Sequence, residues 1–261
     1  MGVWLLNNFS MLSLVAMVVG GILALSLAGS ELAHRRWPSL AEGAHNDMVG
    51  VVLSVFGAIY GIILAFVVVT LWTQLEEAET VVSTEASDLE QVVRNVRAFP
   101  PAERSQMEAA VSVYVHAVVE RQWPLMRAGK AEHTVTQRQI DGIYAVLQAY
   151  EPDDGPQRAF YRESITHLND VVAQRRARLT QSHQELPPLL QVLVYGGALV
   201  IIPLTFLYGN RSRKVRLLFV GAIAALIGFS LLLVLVLDRP FAGGISVSPE
   251  PYAEGTLAQF W

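Results

Sequence analysis

The chain has 261 residues, of which 52% are hydrophobic and 16% charged, with a formal net charge of −4 and a mean hydropathy of +0.39. A soluble globular domain carries about 25% charged residues, so the depletion argues against most soluble-enzyme classes. Cysteine is absent, which excludes disulfides, thiol catalysis, zinc–thiolate sites and iron–sulfur clusters, and the acidic balance argues against a nucleic-acid partner.

The depletion is local. Four charge-free apolar segments occupy roughly residues 9–28, 48–72, 189–208 and 217–237. Each has about the ~20 residues needed to cross a bilayer as a helix. Residues 73–187 hold 17 acidic and 12 basic side chains, net −5. The chain therefore reads as an all-α, polytopic membrane protein with an extramembrane helical domain inserted between its second and third spans. The expected division is 1–72 for spans one and two, 73–188 for the helical bundle, 189–237 for spans three and four, and 238–261 for a C-terminal tail.

The first segment ends in Ser26-Leu27-Ala28, a small-x-small pattern, but no Lys or Arg precedes the apolar run. A signal peptide normally has a positive start, so a retained helix is expected. The loop between segments three and four holds Arg211, Arg213, Lys214 and Arg216, and the loop between one and two holds Arg35 and Arg36. Short basic loops stay cytoplasmic, and with four spans both loops fall on one side. The expectation is a multi-pass protein of the cell (inner) membrane, with both termini and residues 73–188 outside. The same four basic side chains suit anionic lipid head groups.

Between Ile62 and Phe99 there is no Pro or Gly, so the second span is expected to run out of the bilayer as one helix from about Asn46 to Arg97, ~75 Å at 1.5 Å per residue. Beyond the membrane, Leu75, Ala78, Val82, Glu85, Leu89, Val92, Val96 and Phe99 follow a 3–4 spacing, a helix-packing seam. Pro100-Pro101 ends this helix. A second runs over about 102–122, with Met107, Val111, Tyr114, Val115 and Val118 on one face, and Trp123-Pro124 breaks or kinks it. A third covers about 136–150. A fourth, capped by Asp154 or Gly155 with Pro156 at its first position, runs to about Glu185. Together they predict a four-helix antiparallel domain.

Gly50, Ser54, Gly57, Gly61 and Ala65 recur at three- to four-residue spacing in span two. Small residues let helices approach closely. They serve either packing within one subunit or a pore or oligomer contact, in which Ile59, Ile62, Ile63 and Phe66 form a hydrophobic constriction that gates by dewetting. No Asp, Glu, Lys, Arg or His lies within the four spans, which argues against a proton pump or ion-coupled transporter. Glu85 sits on the apolar seam, either as a solvated carboxylate, as a buried partner for Arg175, Arg176 or Arg178, or as a vestibule charge. Asp238 and Arg239, at the outer end of span four where Pro240 stops the helix, either pair or cap the helix end, or form a charged pore mouth. Glu163, His167 and Asp170 share one helix face at i, i+4 and i+7 and read as solvated; no metal or cofactor is expected, and no catalytic motif stands out.

After span four comes Leu237-Asp238-Arg239-Pro240-Phe241-Ala242-Gly243-Gly244-Ile245-Ser246-Val247-Ser248-Pro249. Together with Gly57, Gly61, Ala65-Phe66 and Trp72 of span two, Val81, Glu85-Ala86 and Leu89 of its extension, and Arg175-Arg176-Ala177-Arg178-Leu179 before Leu186-Pro187, this resembles the bestrophin-like domain family over about residues 10–250. The resemblance implies distant kinship to bestrophin anion channels, which are pentamers, and hence a homo-oligomer with anions as the favoured ions. Bestrophins keep their large domain in the cytosol, whereas the loop charges place this one outside. The expected function is a channel-like pore for small ions with span two along its axis. The alternative is a membrane-anchored sensor or scaffold whose outer domain binds a partner. Expected partners are the lipid bilayer, further copies of the chain and small ions.

Overall fold

A computed structural model describes residues 2–43 and 45–261, and among them every regular element is helical. The helices are α1 (Gly2–Asn8), α2 (Met11–Arg36), α3 (Asn46–Asn95), α4 (Pro101–His116), α5 (Trp123–Arg127), α6 (Gln137–Ala149), α7 (Gly155–Gln181), α8 (Pro188–Phe206) and α9 (Arg213–Leu237). Four of them, α2, α3, α8 and α9, are long and apolar enough to cross a membrane. The chain divides into two compact units, one of residues 1–73 and 185–238, the other of 74–184 and 239–261.

In the first unit α2 packs along α9 and α8. Gly228 lets α9 approach α2 closely, since a Cβ there meets the Val19 backbone at 3.3 Å. A satellite core of Leu6, Leu14, Val19, Leu232 and Val236 joins α1 to this pair. The α2–α3 and α8–α9 connections touch. Asn46 donates from Nδ2 to the Gly209 carbonyl at 2.8 Å and accepts from the Gly209 N–H at 2.8 Å. Gly209 sits so close to Leu40 that an added Cβ would collide with its carbonyl oxygen. The two short basic connections therefore share one end of this unit, as an even number of crossings requires.

In the second unit the eight seam residues from Leu75 to Phe99 are all buried, Ala78, Val82, Glu85, Leu89, Val92 and Val96 completely. Met107, Val111, Tyr114 and Val115 of α4 and Ile140, Ile143 and Leu147 of α6 are buried as well. Asp154 caps α7, its Oδ1 accepting from the Gln157 N–H at 2.7 Å. Of the two outcomes expected at Trp123-Pro124, a break does not occur. The chain passes from α4 through a π-helical stretch, Ala117–Gln122, directly into α5. A π turn widens the helix by one residue. It opens the ladder where Pro124 lacks an N–H, so proline is accommodated at the start of α5. The C-terminal segment belongs to this unit too: Tyr252 and Leu257 are fully buried, and the Trp261 indole donates to the Tyr252 carbonyl at 2.9 Å.

Candidate functional site

The apolar part of α3 packs by one side only. Tyr60, Leu64, Val67 and Leu71 are buried, while Ile59, Ile62 and Phe66 are 56%, 59% and 71% exposed. Tyr60 fixes this side, its hydroxyl donating to the Val194 carbonyl of α8 at 2.8 Å. It lies over Gly197, where a Cβ would collide with its ring. Burying the phenol on a bare stretch of α8 satisfies its one donor, which removes the cost of an unpaired hydroxyl.

Two apolar grooves flank the packed side. One, of about 640 Å³, runs between Gly57, Gly61 and Ala65 of α3 and Ile223, Leu226 and Ser230 of α9. The other, of about 510 Å³, lies between Phe56, Ile59 and Ile63 of α3 and Val192, Gly196 and Val200 of α8. Successive helical residues turn by about 100°, so Gly57 and Gly61 share one direction and Ile59, Ile62 and Phe66 point elsewhere. The residues that the sequence offers together as pore-lining thus fall on different faces. Ser54 is exposed and folds its hydroxyl back onto the Gly50 carbonyl at 2.8 Å, and Gly50 is half-buried. No atom lies within 4 Å of a Cβ built on Gly50, Gly57 or Gly61, so close packing inside the protomer is not what requires these glycines.

The second unit centres on a buried ion pair. Arg178 of α7 grips Glu85 of α3 with two nitrogens, Nε to Oε2 at 2.8 Å and Nη2 to Oε1 at 3.1 Å, both side chains being fully inaccessible. Tyr114 of α4 donates to Oε1 at 2.5 Å. Arg178 Nη1 meets Met126 Sδ at 3.1 Å, and its guanidinium lies 5.8 Å from the Trp123 ring centre and 5.9 Å from that of Tyr252. Burial opposes the charge on Arg178, but Glu85 beside it holds the guanidinium well above its ordinary pKa. Burial, reinforced by the Glu85 charge, lifts the Tyr114 phenol well above its usual range. Arg175 goes elsewhere: it donates to Thr136 Oγ1 at 2.8 Å and to the His133 carbonyl, and burial lowers its pKa. Arg176 faces outward. Nothing in the sequence marked Tyr114 as a companion of Glu85, or Trp123, Met126 and Tyr252 as companions of Arg178; a buried charge on a seam implies such neighbours without naming them.

Asp238 accepts the Leu186 N–H at 2.6 Å and so ties the end of α9 to the entry of α8; Arg239 is half-buried in the next unit. Arg211 and Lys214 are exposed. Arg213 and Arg216 both reach Glu31 of α2, at 3.2 and 3.1 Å. Arg216 is 8% exposed, so it departs from the expectation of a head-group-facing side chain. Two arginines in the first turn of α9 oppose its dipole, and Glu31 offsets that. Glu163 is exposed and stands alone, whereas His167 and Asp170 meet Asp88 of α3.

A model of the Bestrophin-like domain family matches residues 20–252. Among solved structures, a membrane protein variant aligns at 16% identity with a TM-score of 0.64, covering 93% of this chain and 95% of that one. A point variant of a bacterial Bestrophin homolog from Klebsiella pneumoniae aligns at 15% identity with a TM-score of 0.63, covering 93% and 96%. Another variant of that homolog aligns at 16% and 0.64, covering 92% and 96%. At these identities the likeness is one of fold. A search of curated proteins found no match.

Proposed function

The chain belongs to the Bestrophin-like domain family, and from that premise we propose that it is a homo-oligomeric membrane channel for small ions, anions favoured, with α3 along the axis. The observation that carries this reading is the exposed, charge-free face of α3, with Ile59, Ile62 and Phe66 more than half accessible. In an oligomer with axial α3 helices this face lines a dry constriction, which passes ions only when wetted. Ile63 stands at its edge, in the α8-side groove. Gly50, Ser54, Gly57 and Gly61 form the flank of α3 on which a neighbouring copy packs. A pentamer is the favoured stoichiometry, from the kinship to bestrophins.

Residues 73–188 form a helical bundle outside the lipid, extracytoplasmic in the cell membrane, with both termini on that side. The Lys and Arg content of the two short connections supports this orientation. Glu85 and Arg178 hold the bundle together rather than charge a vestibule, a role their complete burial supports. Arg211 and Lys214 reach anionic head groups beside the Glu31-bound Arg213. We assign no catalytic role to any residue.

Reconstitution into liposomes tests the reading. Chloride or small-cation flux that scales with protein, from particles with an axial gap, is the expected result. Absence of flux across a range of voltages and ions, or a closed dimer, sinks it. The uninterrupted 50 residues of α3 also suit a sensor that links the bundle to the cytoplasmic loops. That reading predicts a specific partner cross-linked through residues 73–188 and no flux.

A further inference from the structure

Asp88 on α3 and His167 and Asp170 on α7 each bring one donor atom to within 4.8 Å of the other two. Sequence spacing on α7 alone suggests Glu163 as the companion of His167 and Asp170, but the third donor comes from a helix 79 residues earlier. Asp88 and His167 are partly buried, with side chains 15% and 25% accessible, and Asp170 closes the group from the surface.

Donors bound about 2.0–2.2 Å from one ion lie roughly 3.0–3.5 Å apart at octahedral or tetrahedral angles. Asp88 Oδ1 and His167 Nδ1 are 3.1 Å apart, which is already that spacing. An isolated Asp–His hydrogen bond accounts for these two but not for Asp170. An exposed carboxylate, Asp170, beside the partly buried Asp88 costs free energy through like-charge repulsion. A divalent cation among the three donors replaces that repulsion with attraction. One imidazole nitrogen and two carboxylate oxygens, without thiolate, select borderline ions such as Zn²⁺ or Co²⁺ over all-oxygen Ca²⁺ chemistry.

We propose that Asp88, His167 and Asp170 form a divalent transition-metal site that clamps α3 to α7, with water completing the coordination. Full-length protein in detergent, stripped of metal by chelation, is titrated with Zn²⁺ by calorimetry and with Co²⁺ by visible absorption. We expect one equivalent per chain, nitrogen-shifted Co²⁺ ligand-field bands, and a Zn²⁺-dependent rise in Tm. His167→Ala, Asp88→Asn and Asp170→Asn should each weaken Zn²⁺ binding at least about tenfold, and Glu163→Gln should leave it unchanged. Absence of saturable binding in the wild type overturns the proposal, as does unchanged affinity in His167→Ala. Asp170 is exposed, so Asp170→Asn folds even if the histidine variant does not, and unchanged affinity there is equally decisive.

Discussion

Glu85 is a carboxylate with no solvent around it, held by Arg178 and Tyr114. Removing one member of a buried pair strands the other charge and costs about 3–5 kcal/mol, whereas replacing both by apolar groups is close to neutral. Arg178→Met should therefore lower the unfolding free energy by that amount, and Glu85→Leu with Arg178→Met should recover most of it, as read by denaturant titration in detergent. His116 supplies a second residue-scale test. Its Nδ1 lies 2.8 Å from Glu120 Oε1 and its Nε2 2.9 Å from the Phe260 carbonyl. Both partners are acceptors, so both bonds form only with the imidazolium. The Glu120 hydrogen bond, with that of the Phe260 carbonyl, raises its pKa above 6.5. Because the folded value exceeds the unfolded one, the contact's contribution is complete below pH 6.5 and lost as pH rises through the raised value. Hydrogen exchange in residues 255–261 should accelerate across that window, and Glu120→Gln should move the midpoint down. The charge of Glu85 and its place on a helical seam were legible in the sequence. Its partner was less so, because Arg175, Arg176 and Arg178 lie within one turn and only the phase of α7 against α3 chooses among them. Asp88 was invisible for a similar reason, since nothing local to it announces a histidine on another helix.

At the scale of elements, uninterrupted apolar spacing read the helices well because one rule sets both the period and the buried face. The seam from Leu75 to Phe99 is buried throughout. The same reasoning offered a break or a kink at Trp123-Pro124, and the break is absent, since a π turn redistributes the ladder without leaving a mark in composition. It also left the glycines of α3 undecided between packing inside the protomer and contact beyond it. The open space at Gly57 and Gly61 leaves room for a neighbouring copy there, in keeping with the proposed contact. Gly57→Leu and Gly61→Leu should leave the protomer's helicity and melting unchanged while shifting its oligomer distribution in size-exclusion light scattering. A fall in monomer stability instead would return these residues to internal packing. Gly197 is the contrasting case. An alanine there collides with the Tyr60 ring and displaces the phenol from the Val194 carbonyl. Gly197→Ala should cost about 1–3 kcal/mol through overpacking.

For the whole molecule, the question is which side of α3 an assembled channel turns inward. The packed side is filled by Tyr60, Leu64, Val67 and Leu71, so with α3 on the axis, as proposed, the inward face is either the glycine flank or the face of Ile59, Ile62 and Phe66. These faces have opposite chemistry. A glycine flank exposes backbone and leaves width, and adding bulk there narrows a path. The Ile–Phe face presents branched and aromatic carbon around a dry passage, where conduction is limited by the free energy of wetting. Adding hydroxyls to that passage lowers this barrier without changing charge. If the Ile–Phe face lines the axis, Ile62→Ser and Phe66→Ser should raise single-channel open probability or liposome flux severalfold, while Phe66→Trp lowers it. The same changes on a lipid-facing surface would leave flux as it was and weaken membrane insertion instead. Single-channel recording of the two serine variants in planar bilayers therefore decides the orientation of α3, and unchanged conduction in both would place Ile62 and Phe66 against lipid.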